Sequence, residues 1–233
     1  MPIKTIKLTL LLLLAGSLVA APSARADRSP IMKALLHTDG EGFTPPAENQ
    51  ALQALLARHP ALTFLEACGV GDTAEIARQL KRDPKLAVTW TEFGGSALHL
   101  AAFSGVPGAV QLLLDHGADI HARARNKFKN TPLQVALLDG QLATARLLLE
   151  RGADPLVRQA QGFTPLHEAA LLGRRDLVDL LLGAGAEINS RSDDGRTAVT
   201  EALRGKHAEL ADYLRSKGGH GSEITANLQA SPD

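Results

Sequence analysis

The chain has 233 residues, of which 45% are hydrophobic, 21% charged and only 3% aromatic, with 25 basic and 25 acidic side chains in balance. That length suits one ordinary domain or a modest array of small units, and so few rings exclude a thick aromatic core in favour of thin helices meeting through Leu, Ala and Gly. The charge is zero overall and −3 without residues 1–26, where Lys4, Lys7 and Arg25 have no acidic counterpart, so neither nucleic acid nor anionic lipid is generally attracted.

The first element in chain order reads as a leader. Lys4 and Lys7 precede an apolar run from Leu8 to Val19, and Ala24-Arg25-Ala26 has the A-x-A form of a cleavage site. The apolar stretch is well short of the ~20 residues a bilayer-spanning helix needs, so cleavage after Ala26 is expected, and an uncleaved anchor is the rival. Ser17 stands where a lipoprotein signal would need its acylated Cys. The expected product is an exported bacterial protein located in the periplasm, with no stable membrane insertion. Cys68 is the only cysteine, so no intramolecular disulfide can form.

Residues 27–45 are rich in Gly, Pro and Ser and read as a flexible segment. Leu52, Leu55 and Leu56 then lie at helical spacing, which predicts a capping helix over residues 46–61.

From there the chain repeats. Thr131-Pro132-Leu133-Gln134, Thr164-Pro165-Leu166-His167 and Thr197-Ala198-Val199-Thr200 follow one another at 33-residue intervals, and Ser96-Ala97-Leu98-His99 precedes them. Leu112-Leu113-Leu114, Leu147-Leu148-Leu149 and Leu180-Leu181-Leu182 keep the register, as do Gly117-Ala118-Asp119, Gly152-Ala153-Asp154 and Gly185-Ala186-Glu187. Ser or Thr caps a first helix and Pro fits its opening turn. Gly105, Gly140 and Gly173 turn the chain into a second, Leu-rich helix, which Gly117, Gly152 and Gly185 end at positive φ. One pair cannot bury its own Leu face, whereas stacked pairs can.

These residues closely resemble the ankyrin repeat, with its T-P-L-H-x-A-A opening, Leu-rich second helix and G-A-D ending. The resemblance implies an all-α solenoid of stacked helix-turn-helix units with short β-hairpin fingers, which binds proteins through the fingers and a concave helix face. Five repeats are expected, over about 62–94, 95–129, 130–162, 163–195 and 196–219, with a flexible tail over 220–233. The outer repeats read as caps. Lys206 replaces the turn Gly and Tyr213-Leu214-Arg215 the Leu triplet in the last, while Arg78-Gln79-Leu80 stands for the triplet in the first.

Two sets of residues suggest a partner surface. Two extra residues precede Thr131, where Arg123, Arg125, Lys127 and Lys129 alternate with others and no acid occurs between Ile120 and Leu138. Alternation in an extended finger puts the four cations on one side, suited to an acidic surface on a partner protein; the alternative is an ordinary solvated loop. Superposing the repeats then predicts an apolar ridge of Phe103, Leu138 and Leu171 in the groove, flanked by Phe93 and Phe128 on the fingers; the alternative is packing against neighbouring helices.

No enzyme motif or metal-ligand spacing occurs. His99 and His167 are expected to make structural hydrogen bonds, Cys68 to sit in the core, and Glu168 and Glu201 to be solvated charges on the inner helices. A non-enzymatic protein-binding scaffold follows, monomeric, without cofactor, metal or nucleic acid. The same domain would serve a secreted effector or toxin-immunity protein. A cryptic hydrolase or metal-binding protein would need convergent polar groups not found in the sequence.

Overall fold

The computed structural model describes residue 57, residues 62–92 and residues 94–221. The leader 1–26, the segment 27–45, all of the capping helix 46–61 but Ala57, the finger residue Phe93 and the tail beyond residue 221 lie outside the described residues.

The described residues form ten α-helices, numbered here in chain order: α1 Phe64–Val70, α2 Thr73–Arg82, α3 Ala97–Ser104, α4 Pro107–Asp115, α5 Pro132–Leu138, α6 Leu142–Glu150, α7 Pro165–Leu171, α8 Arg175–Gly183, α9 Ala198–Arg204 and α10 Ala208–Ser216. Two 3₁₀ turns cover Pro84–Val88 and Ala160–Gly162. No helix among these residues is long and apolar enough to cross a membrane.

Helices of two or three turns are marginal alone in water, because nucleation costs more than so few hydrogen bonds return. Their ends therefore matter. Ser96 Oγ accepts from His99 N at the start of α3, and Thr197 Oγ1 accepts from Thr200 N at the start of α9. Thr63 and Glu66 complete a reciprocal capping box on α1, with Thr63 N donating to Glu66 Oε2 at 2.7 Å and Glu66 N to Thr63 Oγ1 at 3.3 Å. Pro132 and Pro165 open α5 and α7 as the sequence predicts. Gly173 turns between α7 and α8 at φ 72°, and Lys206 adopts the same left-handed conformation at φ 64° in the last pair despite its side chain.

Two compact units divide the chain, the first ending at Pro132 and the second beginning at Leu133. In the first, α1 packs on α3, α3 on α4 and α2 on α4; in the second, α7 packs on α8 and α9, and α9 on α10. Of each Leu triplet only the middle member is fully buried: Leu113, Leu148 and Leu181, with Leu214 in the same place on α10. Leu80 is the fully buried equivalent in the first repeat. The triplet position there is thus Gln79-Leu80-Lys81, one residue later than the sequence register suggests. Each such side chain contributes about 1.5–3 kcal/mol by leaving water. Cys68 is also fully buried, and burial pushes its thiol pKa up to about 12.

The last repeat closes on its own chain. Thr197 Oγ1 donates to His220 O at 2.7 Å, and His220 N donates to Asn189 Oδ1 at 2.8 Å. Ordered hydrogen bonding thus reaches His220, the first residue assigned to the tail.

Candidate functional site

The fingers between helix pairs are the most distinctive polar structure of the chain. Each is closed by the same main-chain bond: Thr91 N to Gly95 O, Ala124 N to Asn130 O, Gln159 N to Phe163 O and Ser192 N to Arg196 O. In the first, third and fourth a tighter turn bond from Gly94, Gly162 or Gly195 lies inside it. No longer ladder forms among the described residues, where the one isolated bridge pairs Trp90 with Ser96. The second finger encloses two more residues than the others, and Asn126 absorbs them. Its Oδ1 accepts from Phe128 N at 3.0 Å and Lys129 N at 3.2 Å, while Lys129 takes φ 54°.

Histidines pin finger to helix. In the first unit, His99 Nδ1 accepts from Ser96 N at 3.1 Å and pairs with Ser96 Oγ at 2.7 Å, while Nε2 meets Asn130 O at 2.9 Å. A carbonyl can only accept, so Nε2 carries the proton and the ring is neutral. Burial lowers the His99 pKa to about 4, although the bond to Asn130 O pulls upward. His167 repeats the arrangement in the second unit, with Nδ1 at Thr164 and Nε2 at 3.0 Å from Arg196 O, and burial lowers its pKa too. The structural role expected of both histidines is present.

The pinned second finger carries the four cations. Exposure alternates from Ala122, with Ala122 and Ala124 buried and Arg123, Arg125, Lys127 and Lys129 all exposed. Consecutive N–H groups point opposite ways: Ala124 N reaches Asn130 O within the finger, and Arg125 N reaches Gly94 O of the first finger, both at 2.8 Å. Opposed bonds from neighbouring residues are the mark of an extended chain. A Cβ on Gly94 would come within 3.0 Å of the Arg125 backbone, so glycine permits this close approach.

Two of the cations rest on aromatic rings. The Arg125 guanidinium carbon lies 4.0 Å from the Trp90 ring centroid, and Lys127 Nζ lies 5.1 Å from that of Phe128, which is half-buried. Trp90 also meets His99, with ring centroids 6.1 Å apart. Trp90 is the site residue missed in the sequence. It is the chain's single Trp, 33 residues before Arg123, and superposing the fingers aligns it with that residue rather than with Arg125.

The apolar ridge differs from expectation. Phe103 is only 2% exposed and belongs to the core, while Leu138 and Leu171 are half-buried. The cause is α3 itself, apolar on every side and packed against α1, α4 and the 3₁₀ turn, so its Phe has no open face. Phe93 lies outside the described residues.

The two inner-helix carboxylates are corrected as well. Glu201 is fully buried rather than solvated, held by Arg204 Nη1 at 2.8 Å and Arg196 Nη1 at 3.2 Å. Arg196 also pairs with Asp194 at 2.7 Å and lies over the Phe163 ring. Glu168 is buried with the Gln159 amide beside it rather than a cation. Burial pushes its pKa well above the carboxylate range, and the neighbouring Gln159 amide is the smaller, opposing influence. A raised carboxyl pKa stabilises the fold fully below the unfolded pKa and progressively less as pH rises towards the folded one. Replacing Glu168 with Gln is therefore expected to stabilise the chain above neutrality and to change little near pH 4, as read from urea midpoints. Equal shifts at both pH values would show that ionisation of Glu168 is not the cause.

No three His, Cys, Asp or Glu side chains among the described residues gather closely enough to hold a metal ion. His116 Nδ1 instead bonds Leu112 O at 2.8 Å.

A family model described as "Ankyrin repeats (3 copies)" matches residues 64–159, 98–192 and 152–227. The chain belongs to the ankyrin-repeat family. This ankyrin-repeat chain is 43% identical over 83 residues to a transient receptor potential cation channel subfamily A member 1 homolog of Caenorhabditis elegans, covering 36% of this chain and 7% of the channel. It is 37% identical over 91 residues to protein phosphatase 1 regulatory subunit 27 of Homo sapiens, covering 39% of this chain and 58% of that subunit. It is also 41% identical over 71 residues to the ADP-ribosylation factor GTPase-activating protein AGD2 of Arabidopsis thaliana, covering 30% and 9%. The matches thus span less than two thirds of each of these relatives.

Proposed function

We propose that this ankyrin-repeat protein is a non-enzymatic, monomeric scaffold of the bacterial periplasm that holds a protein partner in its concave groove and on its second finger. The observation that carries this is the finger, where four exposed cations stand on a main chain bonded within itself and to the first finger. Family membership supports a protein partner, as does likeness to a chain named as a phosphatase regulatory subunit. The partner surface is acidic where it meets Arg123, Arg125, Lys127 and Lys129, and apolar where it meets Phe128, Phe93, Leu138 and Leu171. Phe103, being buried, is not part of it. Export rests on residues 1–26, whose Lys4, Lys7, apolar run and Ala24-Arg25-Ala26 have the layout of a leader.

The test is affinity capture from envelope extract of cells making the C-terminally tagged chain, beside a variant with all four finger cations replaced by Ala. One protein held by the wild type and lost in the variant supports the scaffold role, and a captured chain beginning at Asp27 supports export. An empty capture at low salt counts against a stable envelope partner. A chain still beginning at Met1 counts against the leader.

A further inference from the structure

We infer that the second finger is a docking strip for an extended acidic segment of a partner protein, in which carboxylates occupy every second residue. This deepens the scaffold function proposed above and rests on it.

Three observations lead to this partner. First is pitch. Arg123 and Arg125 lie on an extended stretch, where residues two apart on one side are separated by roughly 7 Å. An extended acidic segment whose Asp or Glu residues alternate with others has the same pitch, so each carboxylate meets one cation. Second is the state of the cations. The Arg125 guanidinium carbon lies 4.0 Å from the Trp90 ring centroid, a contact that positions the side chain without using an N–H. A guanidinium can grip a carboxylate with two parallel bonds. Lys127 likewise lies against the Phe128 ring. Third is rigidity. The strip is held by the Arg125 N to Gly94 O bond, by Ala124 N to Asn130 O, and by His99 on the Asn130 carbonyl. Binding to a prearranged strip loses less conformational entropy than binding to a loose loop.

Single-stranded nucleic acid presents charges at a similar interval, but the finger does not suit it. Proteins that hold single strands offer aromatic rings to the bases. Here Arg125 lies over Trp90 and Lys127 over Phe128, and the chain as a whole carries no net positive charge.

Trp90 is the chain's single tryptophan, so its fluorescence reports directly on the strip. The full chain is titrated with a synthetic peptide alternating glutamate and serine, with a peptide of equal composition whose glutamates form one block, and with a uridine RNA oligonucleotide. The alternating peptide is expected to change Trp90 emission, to bind about fivefold more tightly than the block peptide, and to weaken as salt rises. Arg125→Ala is expected to lose about tenfold in affinity. Arg125→Lys, which keeps the charge but not the two-bond edge, is expected to fall between, and circular dichroism checks that both variants fold. Equal affinity for the two peptides overturns the alternating pitch. Tighter RNA binding overturns the acidic-segment partner, and an Arg125→Ala variant that binds like the wild type overturns the strip. Capture of a finger-dependent partner, together with no affinity for the alternating peptide, defeats this inference and leaves the scaffold function standing. Failure of both experiments defeats both.

Discussion

Replacing Leu181 with Ala is expected to destabilise the second unit by about 3–5 kcal/mol, while the same change at Leu182 costs about 1 kcal/mol or less. Leu181 has no exposed surface on α8, and its neighbour in the triplet is half-buried. The difference arises from what the lost atoms leave behind. At Leu181 three carbon atoms vanish from a site closed on all sides, so transfer energy is lost and a cavity remains. At Leu182 water fills the space. Urea unfolding followed by helical circular dichroism reads both, with similar slopes expected if the denatured state is unchanged. Matching midpoints for the two variants would show that the middle position has no special role in holding the helix pairs together.

The second large effect is expected at His99. His99→Ala removes the acceptor for Ser96 N and the donor to Asn130 O, both inside the first unit. A buried polar group left without a partner costs about 1–3 kcal/mol, and at least two are left here, so a loss of about 3–5 kcal/mol is expected. The wild-type ring also makes stability depend on pH. Its folded pKa of about 4 lies below the ordinary histidine value. The unfolded chain therefore takes up a proton first, and stability falls as pH drops from about 6.5 to about 4, by about 3 kcal/mol in all. His99→Gln separates the two effects, since Gln134 already stands at the equivalent place in the next repeat. This variant should keep part of the packing and lose that pH slope, apart from what His167 contributes. An unaltered acid slope in His99→Gln would place the titration elsewhere.

The repeating part of the fold was legible because each helix pair needs the same solution as the next. The Ser or Thr cap, the turn glycine and the middle Leu recur, so the sequence states each requirement several times. What did not repeat was harder to read. Phe103 lies at a position that is polar or aliphatic elsewhere, and only the surroundings of α3 decide that it faces inward. Glu168 and Glu201 share a motif position yet have unlike partners, because Arg196 and Arg204 occur beside one and not the other. The cationic alternation of the second finger was visible in the residues themselves. Trp90 beneath Arg125 was not, since that contact depends on two fingers 33 residues apart lying side by side.

The enclosed thiol of Cys68 gives the chain a built-in clock. With its pKa pushed up to about 12, it is neither exposed nor ionised in the folded first unit, and thiolates rather than thiols react. An alkylating reagent can modify it only during the moments when α1 lifts away. The labelling rate therefore measures how often the start of the repeat array opens, with no engineered probe. In an oxidising compartment that same burial protects a lone cysteine from joining two chains together.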